Sequence, residues 1–584
     1  MPDACEQGDE LPMKRLPTEP RRKAAPPQET IHRIREILHE RGLFVVETTF
    51  PERCGTYSCR LELGDPPLFG QGFGVNGKGM SPRFALASAY GELMERLCAG
   101  VLMPYCPYDA ADGVDLSPQA FAEQCPDALL QALELRSKPE LVAFLRDCFG
   151  EDRLKCAPFR CLNDGSVALI PLELVQLLCG TTGLCAGNTP EEAMLQGLME
   201  VFERYAVRKL YQYGMTPPEI PADEFAGTQV LQRLAESGLR YSIRDLSLGK
   251  GYPVLALALR RPGGERALHP GAAASREIAL ERCLTELYQG NAQAVSRRFH
   301  RPGALDGRDG TAMAWAYMAT VTDGSGAFPD SAFDGPPSYP PHGTGEQFSS
   351  DAQALSAYAD LVRERGSAVY VRDQSRLGFP VYRVYVPGAS ETFLHYPLSR
   401  AEFAAWVRLR RASKIVHDLP GASRESLEAL ADAMTDLKQA RLPVYRAPLE
   451  RLADRSTPGV GAHEGAFEAL LLGSVGRYGQ AARAMDAFLA TDAANRAPRR
   501  LYQAYRAFWR ALDSGEDEAA ALASCERVYG ANLAARCRAA HSTPNGLFDP
   551  QIWPQCPNCN ACALAPRCPR EAIVQTWDLL RERT

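Results

Sequence analysis

The chemistry in this chain is concentrated in glutamates that recur at one spacing. Ala85-x2-Ser88-x3-Glu92-x2-Glu95, Ala193-x2-Gln196-x3-Glu200-x2-Glu203 and Ala279-x2-Arg282-x3-Glu286-x2-Gln289 superpose without a gap. An i, i+4, i+7 spacing sets each polar trio on one face of a helix. Arg96 and Arg204 extend the first two copies, and the opposite positions are apolar: Leu86, Leu93 and Leu97 in one, Val201 and Tyr205 in the other. A single helix of this kind is ordinarily a solvated face. Three copies, each preceded by a turn or strand and each apolar enough to be buried, predict a shared site. Converging carboxylates of Glu92, Glu95, Glu200, Glu203 and Glu286 would repel one another strongly without cations, so convergence implies metal. Carboxylates without clustered histidines select magnesium or calcium over zinc, and magnesium with few protein ligands fills its shell from water and phosphate. Arg96, Arg204 and Arg282 supply guanidinium forks for phosphate oxygens. ATP with Mg2+ fits that inventory.

Two other motifs bear on chemistry. Gly72-Phe73-Gly74-Val75-Asn76-Gly77-Lys78-Gly79 has the Gly-x4-Gly-Lys of a phosphate loop, but Gly79 stands where a Ser or Thr hydroxyl should reach magnesium. Its Asn-Gly turn and the following Ser81-Pro82 read instead as a tight strand-to-helix connection. Further on, Cys556, Cys559, Cys562 and Cys568 form C-x2-C-x2-C-x5-C-P. Four closely spaced thiolates fit tetrahedral zinc, and the Cys-Pro end also resembles a ferredoxin-type iron–sulfur motif with a longer last gap. Zinc and iron–sulfur are both open readings of this cluster.

These residues need elements to position them. Ile31, Ile34, Ile37 and Leu38 predict a helix up to Gly42, with Thr30 as its N-cap. Phe44–Thr48 and Tyr57–Leu63 read as strands. Strand-like runs at Ala168–Leu178, Tyr252–Arg261 and Ala368–Val386 alternate with helices as far as about Pro397, which predicts an α+β body. Gly324–Gly345, rich in Gly, Pro and Ser, reads as a long surface loop. After about Gly421 the β signal ends, and residues 465–540 read as helix pairs. Their small-and-aromatic pattern, Phe467–Gly473 leading to Tyr478 and Ala481, is similar to tetratricopeptide hairpins, and a plain bundle fits equally well. The expected organisation is a flexible lead-in at 1–28, an ATP-binding domain at 29–420, an all-α tetratricopeptide-like domain at 421–545 and a Cys-rich metal-binding tail at 546–584.

The whole chain narrows the choice of function. Its 584 residues, 45% hydrophobic and 23% charged, suit two or three globular domains. The formal charge of −6 is spread over both signs, so no polyanion surface and no direct nucleic-acid contact are expected. No run approaches the roughly 18 apolar residues of a membrane span, and Met1–Glu10 is acidic where a signal peptide is basic. A cytoplasmic protein without membrane contact is expected. Outside the terminal cluster, cysteines such as Cys98, Cys179 and Cys283 read as small buried hydrophobes.

The three helices also resemble the motifs of the YcaO family. Asn76-Gly77-Lys78-Gly79 with Ala85 to Arg96 is similar to its first motif, Ala186-Gly187-Asn188-Thr189 with Gln196 to Tyr205 to its second, and Ala279 to Gly290 to its third. The resemblance implies a YcaO-type mixed sheet-and-helix domain over about residues 20 to 400 that binds ATP without a Walker loop. It implies Glu92, Glu95, Glu200, Glu203 and Glu286 as the magnesium set. Ser88, Asn188, Gln196, Arg204 and Arg282 would contact the nucleotide, and Lys23 and Thr30 match weaker family positions that reach it.

Family members phosphorylate a backbone amide oxygen so that a Cys, Ser, Thr, sulfur or nitrogen nucleophile can form an azoline, thioamide or amidine. Long, freestanding bacterial members with a tetratricopeptide-like tail include an accessory to a radical enzyme in β-methylthiolation of a small-subunit ribosomal protein. Trp577–Thr584 lacks the PxPxP end common in azoline-forming cyclodehydratases, so the expectation moves toward partner-dependent modification. A peptide or protein substrate, a radical-enzyme or sulfur-transfer partner, and a homodimer through the helical region are the expected partners. Azoline, thioamide or amidine synthesis on a ribosomal peptide and an ATP-binding regulatory scaffold are the alternatives.

Overall fold

A computed structural model describes residues 23–64, 74–101, 112–305, 310–342, 348–439, 464–496, 498–543, 545–548, 553–563, 565–568 and 570–581. Most of the lead-in expected at 1–28, and Gly72 of the near-phosphate-loop, lie outside them.

Helix α1 (Pro27–His39) starts earlier than its apolar spacing suggests. Pro26 occupies the N-cap and Pro27 the first turn, where a fixed φ and a missing N–H cost nothing. Thr30 is therefore inside the helix and not its N-cap. Three antiparallel sheets follow. The first has the order β1 (Val45–Thr49), β2 (Tyr57–Leu63), β3 (Gly74–Gly79), and helix α2 (Pro82–Cys98) leaves its edge strand β3.

A six-stranded sheet has β4 (Val114–Leu116), β5 (Leu154–Cys161), β12 (Tyr370–Asp373), β13 (Val381–Tyr385) and β7 (Leu184–Ala186) in that order, with β6 (Val167–Pro171) paired to β5. Helices α3 (Pro118–Gln124), α4 (Asp127–Ala132), α5 (Lys138–Phe149) and α6 (Leu172–Cys179) are inserted along it. The apolar run Ala168–Leu178 is thus half strand and half helix. Leu174, Val175, Leu177 and Leu178 are all buried, so neither period shows in the sequence. Helix α7 (Pro190–Tyr213) leaves the edge strand β7.

The third sheet, β11 (Arg266–Ala272), β10 (Val254–Arg260), β9 (Arg240–Asp245), β8 (Glu219–Ile220), is flanked by α8 (Gln229–Ser237), and α9 (Arg276–Leu287) leaves its edge strand β11. β10 is buried on both faces: Leu255, Leu257 and Leu259 pack with α8 and α9, and Val254, Ala256 and Ala258 with α7. Helices α10 (Ala292–Arg297), α11 (Gly310–Asp323) and α12 (Asp351–Glu364) complete this part. The segment after α11 is the expected surface loop only in its later part, where residues 334–342 are mostly exposed. Phe328, Ala332 and Phe333 are buried, and Arg266 stacks over Phe333 while pairing with Asp330 and Asp334.

From α13 (Arg400–Ala412) and α14 (Arg424–Gln439) onward the described residues form no strand, and helices Glu464–Ser474, Tyr478–Leu489, Arg499–Asp513, Glu518–Tyr529 and Ala531–His541 follow. One apolar cluster runs from Phe121 on α3 through these helices to Trp553. The helix Arg570–Arg581 then returns to the first layer. Its Ile573, Trp577 and Leu580 are buried with α1, the first sheet and α2. No helix among the described residues is long and apolar enough to cross a membrane.

Candidate active site

The three glutamate helices share more than their polar trios. Each leaves the edge strand of a different sheet, and each begins at a Ser or Thr N-cap four residues before the template alanine: Ser81, Thr189 and Ser275. Eight residues before that alanine stand Gly77, Cys185 and Gly271. A Cβ on Gly77 would lie 2.0 Å from the Ala85 carbonyl oxygen, and one on Gly271 would lie 2.5 Å from that of Ala279. In the second copy the small residue has moved across the contact: a Cβ on Gly197 of α7 would lie 2.7 Å from Cys185 Sγ. Each helix therefore lies almost on its own strand, and close packing accounts for Gly77 and Gly79 of the near-phosphate-loop.

The copies are joined in a ring. Besides its own strand, α2 contacts β7, α7 contacts β11, and α9 contacts β3. Glu95 on α2 accepts a hydrogen bond from the Ala186 N–H at 3.1 Å. Gln196 on α7 accepts one from Arg282 on α9. Gln289, just beyond α9, donates to the Asn76 carbonyl of β3 at 2.8 Å. A face that each helix presents by its own 3.6-residue period is thus turned toward one centre by the strand of its neighbour.

That centre is a cavity of about 720 Å³. Glu92, Glu95, Glu200, Glu203 and Glu286 all line it, as do Ser88, Asn188, Gln196, Arg204 and Arg282. Lys23 and Thr30 line it too, because the chain before α1 is tied to the start of α7. Thr30 donates to Asn188 Oδ1 at 2.8 Å, and Lys23 Nζ lies 3.0 Å from Glu192 Oε1. Glu192 Oε2 accepts from the Ala24 N–H at 3.1 Å. Burial pushes the Glu192 carboxyl up, but Lys23 and these donors hold it below its ordinary value.

Among the glutamates of the three helices the charges conflict. Burial and the nearby Glu92 and Glu200 push Glu95 up to about 8, against the pull of Arg96. Glu203 is raised by burial and by Glu286. Glu286 is itself held low, its burial outweighed by Lys78, whose Nζ is 2.7 Å away. Burial pushes His269, 4.0 Å from Glu286, down to about 4. Glu92 pairs with Arg96 at 3.2 Å, and Arg96 Nη1 is buried with no hydrogen-bond partner. An unpartnered donor and carboxylates that repel one another suit a ligand that is both anionic and metal-bearing.

Among the described residues no three His, Cys, Asp or Glu side chains are already drawn into a metal cage. The glutamate set still fits Mg2+. Its donors are hard oxygens, and an ion that keeps water and phosphate in its shell needs few of them. The cysteine tail does not fit in the same way. Residues 553–563 are a succession of turns and Ala565–Arg567 is a short 3-10 helix; Cys559 N–H donates to Pro557, Cys562 to Cys559 and Cys568 to Ala565. These bonds are local to the backbone and do not by themselves bring the thiols together.

Glu192, Lys78, His269 and Gln289 belong to the site without having been singled out as its residues. Gln289 ends the third trio, and Lys78 sits in the Gly-Lys motif, so a signal for both was present. His269 depends on strand register, which no local pattern shows.

A family model described as YcaO cyclodehydratase, ATP- and Mg2+-binding, matches residues 76–390. The ribosomal protein S12 methylthiotransferase accessory factor YcaO of Escherichia coli is 29% identical over 377 residues, which cover 61% of this chain and 63% of that protein. An uncharacterized protein of Haemophilus influenzae is 30% identical over 342 residues, 54% of this chain and 57% of that one. The chain thus matches less than two thirds of the length of either relative. Among solved structures, a heterocyclase in complex with substrate and cofactor aligns with TM-score 0.46 and 19% identity, covering 64% of this chain and 53% of that one. YcaO from Methanopyrus kandleri bound with AMPPCP and Mg2+ aligns with TM-score 0.40 and 21% identity, covering 63% and 92%.

Proposed function

Because the chain belongs to the YcaO family, whose model matches over half of it, we propose that it uses ATP and Mg2+ to phosphorylate a backbone amide of a peptide or protein, acting with a partner. The observation that carries this reading is the single cavity lined by Glu92, Glu95, Glu200, Glu203 and Glu286 together with Arg96, Arg204 and Arg282. Mg2+ on these carboxylates would neutralise phosphate charge and fix the phosphates for in-line displacement.

The chain's own residues do the rest. Lys23, Thr30, Asn188 and Glu192 bind at one end of the cavity, and the arginines compensate charge spread over the phosphate oxygens. An amide oxygen is a weak nucleophile, so most of the rate must come from positioning. As the oxygen bonds to the γ-phosphorus, the bond to the β-phosphate oxygen breaks and ADP leaves.

The Escherichia coli relative's description as an S12 methylthiotransferase accessory factor supports a ribosomal-protein target and a methylthiotransferase partner. The test is ADP release by the purified chain with and without that partner and S12. Stimulated release that falls at least about 100-fold in Glu203→Gln supports the reading, and full product formation by that variant without ATP turnover ends it. Zinc or an iron–sulfur cluster on Cys556, Cys559, Cys562 and Cys568 is supported by spacing alone. Anaerobic metal analysis separates a colourless zinc protein from a brown cluster protein, and metal-free protein ends both.

A further inference from the structure

The lysine of the near-phosphate-loop has another position in this fold. Alternate residues of β3 face opposite ways: Val75, Gly77 and Gly79 are buried, whereas Asn76 and Lys78 are half-buried and line the cavity. A Cβ on Gly77 or Gly79 would strike backbone atoms of Ala85, and Gln289 holds the Asn76 carbonyl from α9. The strand is pinned on both sides, so Lys78 is aimed across the cavity at Glu286, 2.7 Å from its Nζ.

Its place along the cavity differs from that of Lys23. Lys23 pairs with Glu192 at the start of α7. At about 1.5 Å per residue, Glu203 lies roughly 16 Å farther along that helix. Lys78 and Glu286 act on Glu203 there. Carboxylates that hold Mg2+ mark the phosphate end of a nucleotide, so the Lys23 end takes the nucleoside and Lys78 stands at the far phosphate. Arg96 and Arg204 each pair with a glutamate four residues back on their own helix. Lys78 instead reaches Glu286 from a separate element, and a lysine is a flexible point charge that can change partner.

We propose that Lys78 recognises the terminal phosphate of the bound nucleotide, exchanging Glu286 for a phosphate oxygen when that carboxylate is engaged by Mg2+. The inference rests on the nucleotide reading above. It makes Lys78 a residue that separates ATP from ADP. The test is calorimetric binding of ADP and of the β,γ-methylene analogue of ATP, each with Mg2+, to wild type, Lys78→Gln and Lys78→Arg.

A charge-assisted contact predicts about a 10- to 100-fold loss of analogue affinity in Lys78→Gln, with ADP affinity kept within about threefold and most of the loss recovered in Lys78→Arg. Retained ADP binding also shows that the variant is folded. Equal losses for both nucleotides, or no loss for either, would overturn the assignment. Wild-type protein that binds neither nucleotide would overturn the nucleotide reading itself, and this inference with it.

Discussion

Glu95 and Glu286 stand 191 residues apart in the chain and line one cavity, whereas Cys556 and Cys568 stand 12 apart and neither lines it. The difference lies in what directs each side chain. A helix fixes the direction of every residue on it, and three helices seated on edge strands keep those directions when the sheets come together. A run of turns satisfies its backbone locally and gives its side chains no common face. Motif spacing becomes a site only when a rigid element carries it.

The two regions are nevertheless joined through the helix Arg570–Arg581, and the largest expected effect breaks that join. Trp577→Ala empties a buried position behind α2 and is expected to destabilise the protein by about 3–5 kcal/mol, read as a shift in the denaturant midpoint. A loss under about 1 kcal/mol would mean that the cavity and the tail are independent.

Gly77→Ala sharpens the role of the strand-to-helix contact. Its Cβ would lie 2.0 Å from a backbone oxygen that has little room to retreat, so a loss of about 1–3 kcal/mol is expected by the same measurement.

A third prediction concerns protons. Glu95, with its carboxyl raised to about 8, binds a proton in the folded state that the unfolded chain has released above its ordinary value. Stability is therefore expected to fall as pH rises from about 4.5 to 8, by at most about 1.4 kcal/mol per pH unit for one proton. Mg2+ binds the charged form and should flatten that slope. An unchanged slope with Mg2+ would place the ion away from Glu95.

The smallest effect is expected in the cysteines. Replacing Cys559 and Cys562 by Ser should leave Mg2+-ATP affinity within about threefold, since neither lines the cavity.

How much of this was legible depended on the range of the signal. Tyr57–Leu63 was read to its end residues because an alternating strand declares itself locally. The cavity's glutamates were legible because one template occurs three times, and the ring that gathers them was not, since it depends on which edge strand each helix meets. Thr30 shows both cases in one residue. Its local role as a cap was misread because Pro26 and Pro27 start the helix sooner; its expected reach to the nucleotide came from the family resemblance alone, and its hydrogen bond to Asn188, 158 residues away, has no local signal. The buried segment around Phe333 was missed because Arg266, which stacks on it, comes from strand β11, 67 residues earlier in the chain.

The return of Trp577 to the back of α2 has a consequence for synthesis. Leu97 leaves the ribosome about 480 residues before the indole that is buried in the same cluster. At roughly 5–20 residues per second, that delay is on the order of a minute. Throughout it the helix bearing Glu92 and Glu95 has an apolar flank with its cover still unmade. The nascent chain must keep that flank from other chains, so a holding chaperone should engage the first layer of this protein longer than any later one.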